Sequence, residues 1–265
     1  MKTPLDRFAV NLEMWWPELD RLDRVAAAAE AGFRLVEIWH WANWDVLALA
    51  RATRHHGVAI SQIGGWDFEP RLDDAGNREG LREGISAAIE AAHTLGAGLI
   101  NVNGPYLSPG ESRSEVVARV ADALGSVVDL AEAADVALML EPMNFRVDHP
   151  GYSLPTSADV IEVCRSVDSE ALGANWDLYH LQISEGDLTG HLDEGIDHVK
   201  YVQVADHPGR HEPGTGEIDY AFVLAHLAGL GYEGPIGLEC SPQVDPSRAL
   251  SRLRDLVSAI EEKRG

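Results

Sequence analysis

Positive charge is scarce in this chain. Its 265 residues carry 21 Lys and Arg against 43 Asp and Glu, a net charge of −22. A surface this acidic repels polyanions, which argues against nucleic acid and against anionic membrane surfaces as partners, and it attracts cations. Cysteine is also rare. Cys164 falls in a helical pattern and Cys240 at a strand end, so no structural disulfide is expected and a reducing cytoplasm is the natural setting. No apolar run approaches the length of a membrane span, and the opening MKTPLDRF has no apolar signal core. A glycine-rich phosphate loop is missing where a dinucleotide fold would place it: FAVNLEMWW runs straight into Pro17. The rest is ordinary for a soluble globular protein, with 45% apolar and 24% charged residues. Without a linker, repeat or low-complexity tract, the economical expectation is one α/β domain over 1–265.

Strand and helix patterns alternate from end to end. Strand-like runs fall at 8–14, 35–40, 58–64, 99–104, 137–144, 172–180, 200–206 and 235–242. Helical patterns lie between and after them, at 18–31, 45–56, 80–95, 113–134, 157–168, 188–198, 219–230 and 246–263. Eight units of about 33 residues each have the size of barrel units. Gly32, Gly57, Gly96 and Gly231 stand where helices should stop, and Ser157, Asp219 and Asp245 where helices should start. An open doubly wound sheet would also alternate. Two features favour a closed (β/α)8 TIM barrel: the missing phosphate loop, and polar residues recurring at the C-terminal ends of the strands, where a barrel builds its site.

Four of those strand ends stand out. Glu141 follows ALML, Asp177 ends LGANWD, Gln203 ends VKYVQ and Glu239 ends PIGLE, at separations of 36, 26 and 36 residues. Side chains alternate with period two, so Gln203 shares a face with Tyr201, Asp177 with Asn175, and Glu239 with Gly237. If those faces point inward, three carboxylates and an amide oxygen converge on the axis. Carboxylates in a low dielectric need compensation, and a divalent cation supplies it. An all-oxygen set favours Mg²⁺ or Mn²⁺ over Zn²⁺. Two of the carboxylates could also move protons.

His180 lies three residues beyond Asp177, close enough to donate a hydrogen bond or relay a proton to a substrate oxygen. Arg210, in the Gly- and Pro-rich loop DHPGRHEPGTGEID, is the cation best placed to hold a substrate carboxylate, although a solvated loop charge reads the same way in sequence. Trp15, Trp16, Trp39, Trp41, Trp44 and Trp66 crowd the segments after the first three strands. They read either as packing at the barrel rim or as an apolar wall that excludes water.

The stretches VNLEM, LVEIW, LEPMN, WDLYHLQISEGDL, YVQVADHPGRHEPGTGEIDY and GLECSP resemble the hydroxypyruvate isomerase family, within the xylose-isomerase-like barrel superfamily. The resemblance covers most of the chain and is strongest from Leu138 to Pro242. It implies a (β/α)8 barrel, with Glu141, Asp177, Gln203 and Glu239 as metal ligands and Glu141 and Glu239 as the acid/base pair. Glutamine at the third ligand position matches hydroxypyruvate isomerases, where related epimerases more often carry histidine. SQIGGWDFEPRLDDAGNREG and WHWANW depart from the family's usual loops, and such loops set the substrate.

The implied reaction interconverts hydroxypyruvate and 2-hydroxy-3-oxopropanoate through an enediolate. The alternatives on the same barrel are a ketose or keto-polyol 3-epimerase and a 2-oxo-tetronate isomerase. A DNA-repair nuclease of the superfamily would need several strand-end histidines and a basic groove, which this acidic chain does not offer. A non-enzymatic binding barrel would have had no use for all four groups. The expected partner is a small hydroxy-oxo acid or sugar-like molecule, and homo-oligomerisation stays open.

Overall fold

The computed structural model describes residues 5–264; the start of the MKTPLDRF segment, residues 1–4, and residue 265 lie outside the described residues. Eight parallel strands close into a barrel in sequence order. They are β1 (Phe8–Asn11), β2 (Leu35–His40), β3 (Ala59–Trp66), β4 (Leu99–Val102), β5 (Ala137–Leu140), β6 (Leu172–Asp177), β7 (Val199–Val204) and β8 (Ile236–Leu238). The ring shuts where Ala9 pairs with Gly237. Around it run α1 (Arg21–Glu30), α2 (Val46–His56), α3 (Arg78–Leu95), α4 (Arg113–Gly125), α5 (Val128–Ala134), α6 (Ser157–Val167), α7 (Leu178–Ser184), α8 (Leu188–Gly195), α9 (Tyr220–Gly229) and α10 (Pro246–Arg264).

The outer core forms between strands and helices. Outward-facing strand residues meet apolar helix stripes such as Leu81, Ile85, Ala88 and Ala92 of α3, all buried. Trp176 is fully buried and packs so closely on Gly195 that a β-carbon there would collide with its ring. The expected turn residues act as anticipated. Gly32, Gly57, Gly96 and Gly231 all have positive φ where the chain leaves a helix for the next strand. Asp219 caps α9 through Phe222 N, and Asp245 accepts from Arg248 N at the start of α10. Both cysteines are free and buried. No helix among the described residues is long and apolar enough to cross a membrane.

The first, fifth and eighth strands stop at Asn11, Leu140 and Leu238, short of their expected ends, and three further expectations need correction. The sixth strand stops at Asp177, not at residue 180, because the Asp177 carboxylate caps a short helix, α7, by accepting from Tyr179 N and His180 N. The single helix expected over 113–134 is two helices, interrupted at Ser126–Val127 just after Gly125, where glycine has low helix propensity and the Ser126 hydroxyl turns back onto Ala123 O. Helix α6 starts one residue earlier in its capping than expected: Thr156, not Ser157, is the cap and forms a reciprocal box with Asp159.

The long loop after β7 is rigidly built. Asp206 is fully buried, and its carboxylate accepts from Gly214 N, Thr215 N and Ile218 N. A β-carbon at Gly216 would run into the carbonyl of His207, so the turn requires glycine. The loop is stitched to the segment after β8 by Ser241 N donating to Arg210 O. This scaffold fixes the backbone of Arg210 over the open end of the barrel.

Candidate active site

The C-terminal mouth of the barrel holds a cavity of about 290 Å³ whose lining includes Glu141, Gln203, Glu239, His180 and Arg210. Glu141 and Glu239 stand immediately after β5 and β8, Asp177 is the last residue of β6 and Gln203 the last but one of β7. The four strand ends singled out in the sequence therefore converge. Glu141, Asp177, His180 and Glu239 are all buried, and one ligand-type atom from each lies within 4.8 Å of the others.

Each carboxylate has a different setting. Glu141 accepts from Asn101 Nδ2 at 2.9 Å and Asn175 Nδ2 at 3.2 Å. Burial, then the charges of Glu239 and Asp177, push it well above the usual carboxylate range. Glu239 is held by a charged partner instead: Arg210 Nη2 donates to its Oε2 at 2.8 Å and Trp39 Nε1 to its Oε1 at 2.6 Å. Asp177 spends Oδ1 on the α7 cap and leaves Oδ2 buried without a partner. Burial, with the Glu239 charge behind it, pushes Asp177 up to about 8.

Three crowded carboxylates and an orphaned buried oxygen are what a cation would relieve. The residues fit a divalent ion. Glu141, Asp177 and Glu239 supply anionic oxygens, and Gln203 lines the same cavity. His180 is a poorer ligand than its position suggests. Its Nδ1 accepts from Asn144 N at 3.2 Å and sits 2.7 Å from Asn144 Nδ2, so the ring carries its proton on Nε2. That nitrogen is 3.7 Å from Glu141 and 3.9 Å from Asp177. Burial, then the Arg210 charge and His149, hold the ring's pKa well below its ordinary value. His180 is thus a neutral hydrogen-bond donor aimed at the carboxylates.

Arg210 sits in the cavity wall, but its guanidinium is already engaged. Besides Glu239, Nη1 lies 3.9 Å from Asp148, and the group stacks over Tyr179 at 5.2 Å. Of the six tryptophans near the top face, Trp39 and Trp66 line the cavity. Trp15 is fully buried in the outer core and Trp44 is tied to Glu13.

Sequence reading missed several groups. Asn101 and Asn103 of LINVNG line the cavity, as does His149, whose Nδ1 is 2.9 Å from the Tyr106 hydroxyl. Glu37 lies below the cavity, completely buried inside the barrel. Burial, then the charge of Glu239, push it up to about 7. Its signal was present: a lone acid inside the apolar run LVEIW.

Residues 25–256 match the model of a family described as xylose isomerase-like TIM barrels. The chain is 32% identical over 250 residues to a hydroxypyruvate isomerase of Escherichia coli (strain K12), covering 92% of this chain and 96% of that protein. It is 33% identical over 256 residues to a 2-oxo-tetronate isomerase of Cupriavidus necator, covering 94% and 98%. Among solved structures, an AP endonuclease, family 2, from Brucella melitensis aligns with a TM-score of 0.88 at 25% identity, over 94% of this chain and 98% of that one. An L-ribulose 3-epimerase aligns with a TM-score of 0.81 at 21% identity, over 98% and 96%, a likeness of fold alone.

Proposed function

The chain belongs to the xylose isomerase-like TIM barrel family, and from that premise we propose that it is a metal-dependent isomerase interconverting hydroxypyruvate and 2-hydroxy-3-oxopropanoate. The observation that carries this reading is the pair Glu141 and Glu239: two buried carboxylates from the ends of β5 and β8, in one cavity, beside the unpartnered oxygen of Asp177. Similarity to relatives named hydroxypyruvate isomerase over nearly their whole length supports it.

Glu141, Asp177 and Glu239, with the Gln203 oxygen, would hold the cation, and their hardness suits Mg²⁺ or Mn²⁺. When bound, the ion supplies a Lewis acid that stabilises negative charge on the substrate oxygens. One of the two glutamates removes a proton from the hydroxymethyl carbon, leaving an enediolate. The other returns a proton to the former carbonyl carbon, and the hydroxyl proton passes between the two oxygens. The Nε2–H of His180 donates to the oxygen that changes protonation. Positioned acids and bases of this kind contribute about 10²–10⁴-fold. Trp39, Trp66, Phe68 and Met143 provide the apolar wall that keeps water from the intermediate. Arg210 binds the substrate carboxylate at the edge of its contact with Glu239. Among the described residues it is the one arginine lining the cavity, which speaks against a phosphorylated substrate.

A second reading has its own observation. The cavity, at about 290 Å³, is roomy for a three-carbon acid, and the relative named 2-oxo-tetronate isomerase is as similar as the first. Isomerisation of a four-carbon 2-oxo acid uses the same groups. The AP endonuclease likeness carries less weight, because the charge of −22 opposes a DNA backbone.

Incubation with Mn²⁺ in D₂O and hydroxypyruvate, 2-oxo-tetronates or C5–C6 ketoses tests the choice by NMR. An isomerase places deuterium on the carbon next to the one that lost its proton. Label confined to the original carbon, with inverted configuration, would identify an epimerase and overturn the proposal. Nicking of abasic DNA without sugar-acid turnover would overturn it in favour of the nuclease.

A further inference from the structure

Glu37 is a wholly buried acid inside the barrel and the chemistry above leaves it idle. It is 0% exposed, in the middle of β2. Its neighbours are three donors from two other strands, β1 and β7. Asn11 Nδ2 (3.0 Å) and Gln203 Nε2 (3.1 Å) donate to Oε1, and Tyr201 OH (2.7 Å) donates to Oε2. Tyr201 is itself steadied by Ser61 at 2.8 Å. Room for the carboxylate comes from Gly237 on β8, where a β-carbon would collide with Glu37 Oε2. Burying an acid here is expensive, and packing alone does not call for one.

What Glu37 does uniquely is break the symmetry of an amide. Gln203 could present either its oxygen or its nitrogen to the cavity, since the two ends have nearly the same shape. The Oε1 of Glu37 below, which already accepts from Asn11 Nδ2, admits only the NH₂ end. The oxygen must then turn toward the site, where Asn175 Nδ2 donates to it at 2.6 Å. Asn175 also reaches Glu141 Oε2 at 3.2 Å, so the amide's orientation is passed to a second member of the cluster. With the amide reversed, two N–H donors would face the carboxylates and Gln203 would offer a cation no oxygen.

We propose that Glu37 is a positioning residue that fixes the Gln203 amide with its oxygen toward the carboxylate cluster, and so completes an all-oxygen cation site. This rests on the reading of Gln203 as a ligand. The test is Mn²⁺ binding to the purified full chain by calorimetry, independent of turnover, for wild type, Gln203→Leu, Glu37→Gln and the swapped double variant Glu37→Gln/Gln203→Glu. Loss of an outer partner of a ligand weakens affinity about 10–100-fold. Glu37→Gln should show that loss with circular dichroism unchanged. The swap should regain most of it, because a carboxylate at 203 offers an oxygen in either orientation and an amide at 37 can donate to it. Wild-type affinity in Glu37→Gln, alongside weakened binding in Gln203→Leu, overturns the inference while sparing the site. Wild-type affinity in Gln203→Leu, or none in the wild type, sinks the ligand reading and this inference with it. Should Glu37→Gln not fold, the swap decides: a folded double variant that binds Mn²⁺ supports the proposal, and one that does not overturns it.

Discussion

Arg210 donates from Nη2 to Glu239 Oε2 at 2.8 Å, and the same nitrogen is 3.3 Å from His180 Nε2. One guanidinium from the β7 loop thus touches a proposed proton carrier and the proposed proton donor at once. Because Nε2 of His180 carries the proton, the second contact is a close approach and not a hydrogen bond, and it disfavours a charged imidazole. Arg210→Ala should lower kcat/KM by about 10²-fold or more, since it strands a buried carboxylate without its cation. Arg210→Lys should recover little, because an ammonium cannot span Glu239 and a substrate carboxylate as a planar fork does. Steady-state kinetics on the substrate found above is the measurement. Near-wild-type values for Arg210→Ala would show that its place in the cavity wall is merely structural.

Glu141→Gln and Glu239→Gln separate the two glutamates from the rest. Each should cut kcat by at least about 10²–10⁴-fold, the range for a positioned acid or base, with the fold intact. Glu141→Gln should not destabilise the protein and should raise its melting temperature at neutral pH in the absence of added metal. Burial and the charges of Glu239 and Asp177 already work against an ionised Glu141, and an amide relieves that repulsion. Either variant retaining normal turnover would end the two-carboxylate scheme.

The parts of this site that were legible in the sequence are those set by repetition. A strand of a barrel points one end at the site, so Glu141, Asp177, Gln203 and Glu239 announce themselves as polar residues at strand ends spaced by one unit. His180 and Arg210 could be suspected from their neighbours. What was not legible depends on contacts between distant segments. Glu37 is no more than a lone acid in the run LVEIW until Asn11, Tyr201, Gln203 and the bare backbone of Gly237 are seen to surround it. His149 becomes a wall of the cavity only because Tyr106, from the loop after β4, meets it. The helix at 178–184 was hidden because LYHLQIS is apolar enough to continue a strand; the capping role of Asp177 decides otherwise.

Metal dependence should appear in stability as well as in activity. A ligand that binds only the folded state adds about 2.7 kcal/mol when present at 100 times its dissociation constant. Here the effect would have a local cause: a bound cation would offset repulsion among Glu141, Asp177 and Glu239 and give Asp177 Oδ2 its missing partner. Chelation should therefore abolish turnover and lower the melting temperature, and Mn²⁺ or Mg²⁺ should restore both. Asp177→Asn should lose most of the metal-induced rise. A melting temperature indifferent to EDTA and to added Mn²⁺ would contradict the site.

The last prediction lies away from the cavity mouth, in the loop after β3. Asp73 is buried and clamped by Arg71 at 3.0 Å and Arg119 at 2.9 Å, while both arginines also reach Glu111. Burial alone would raise Asp73, but hydrogen bonds and charge from Arg71 and Arg119 outweigh it and hold the carboxyl below its usual value. A carboxyl depressed in the folded state binds its proton less readily there than in the unfolded chain. Its stabilisation is therefore present above the unfolded value, about 3.9, and is lost as the pH falls through the lower folded value. Asp73→Asn should cost about 1–3 kcal/mol at neutral pH, since it leaves two partly buried guanidinium groups short of an acceptor. The gap between variant and wild type should be constant from about pH 6 to 8 and should close on the acid side of about pH 4. Denaturant titrations of both proteins across that window measure it. A gap that widens on acidification would mean that Asp73 is protonated in the native protein and that the clamp owes its order to Glu111 instead.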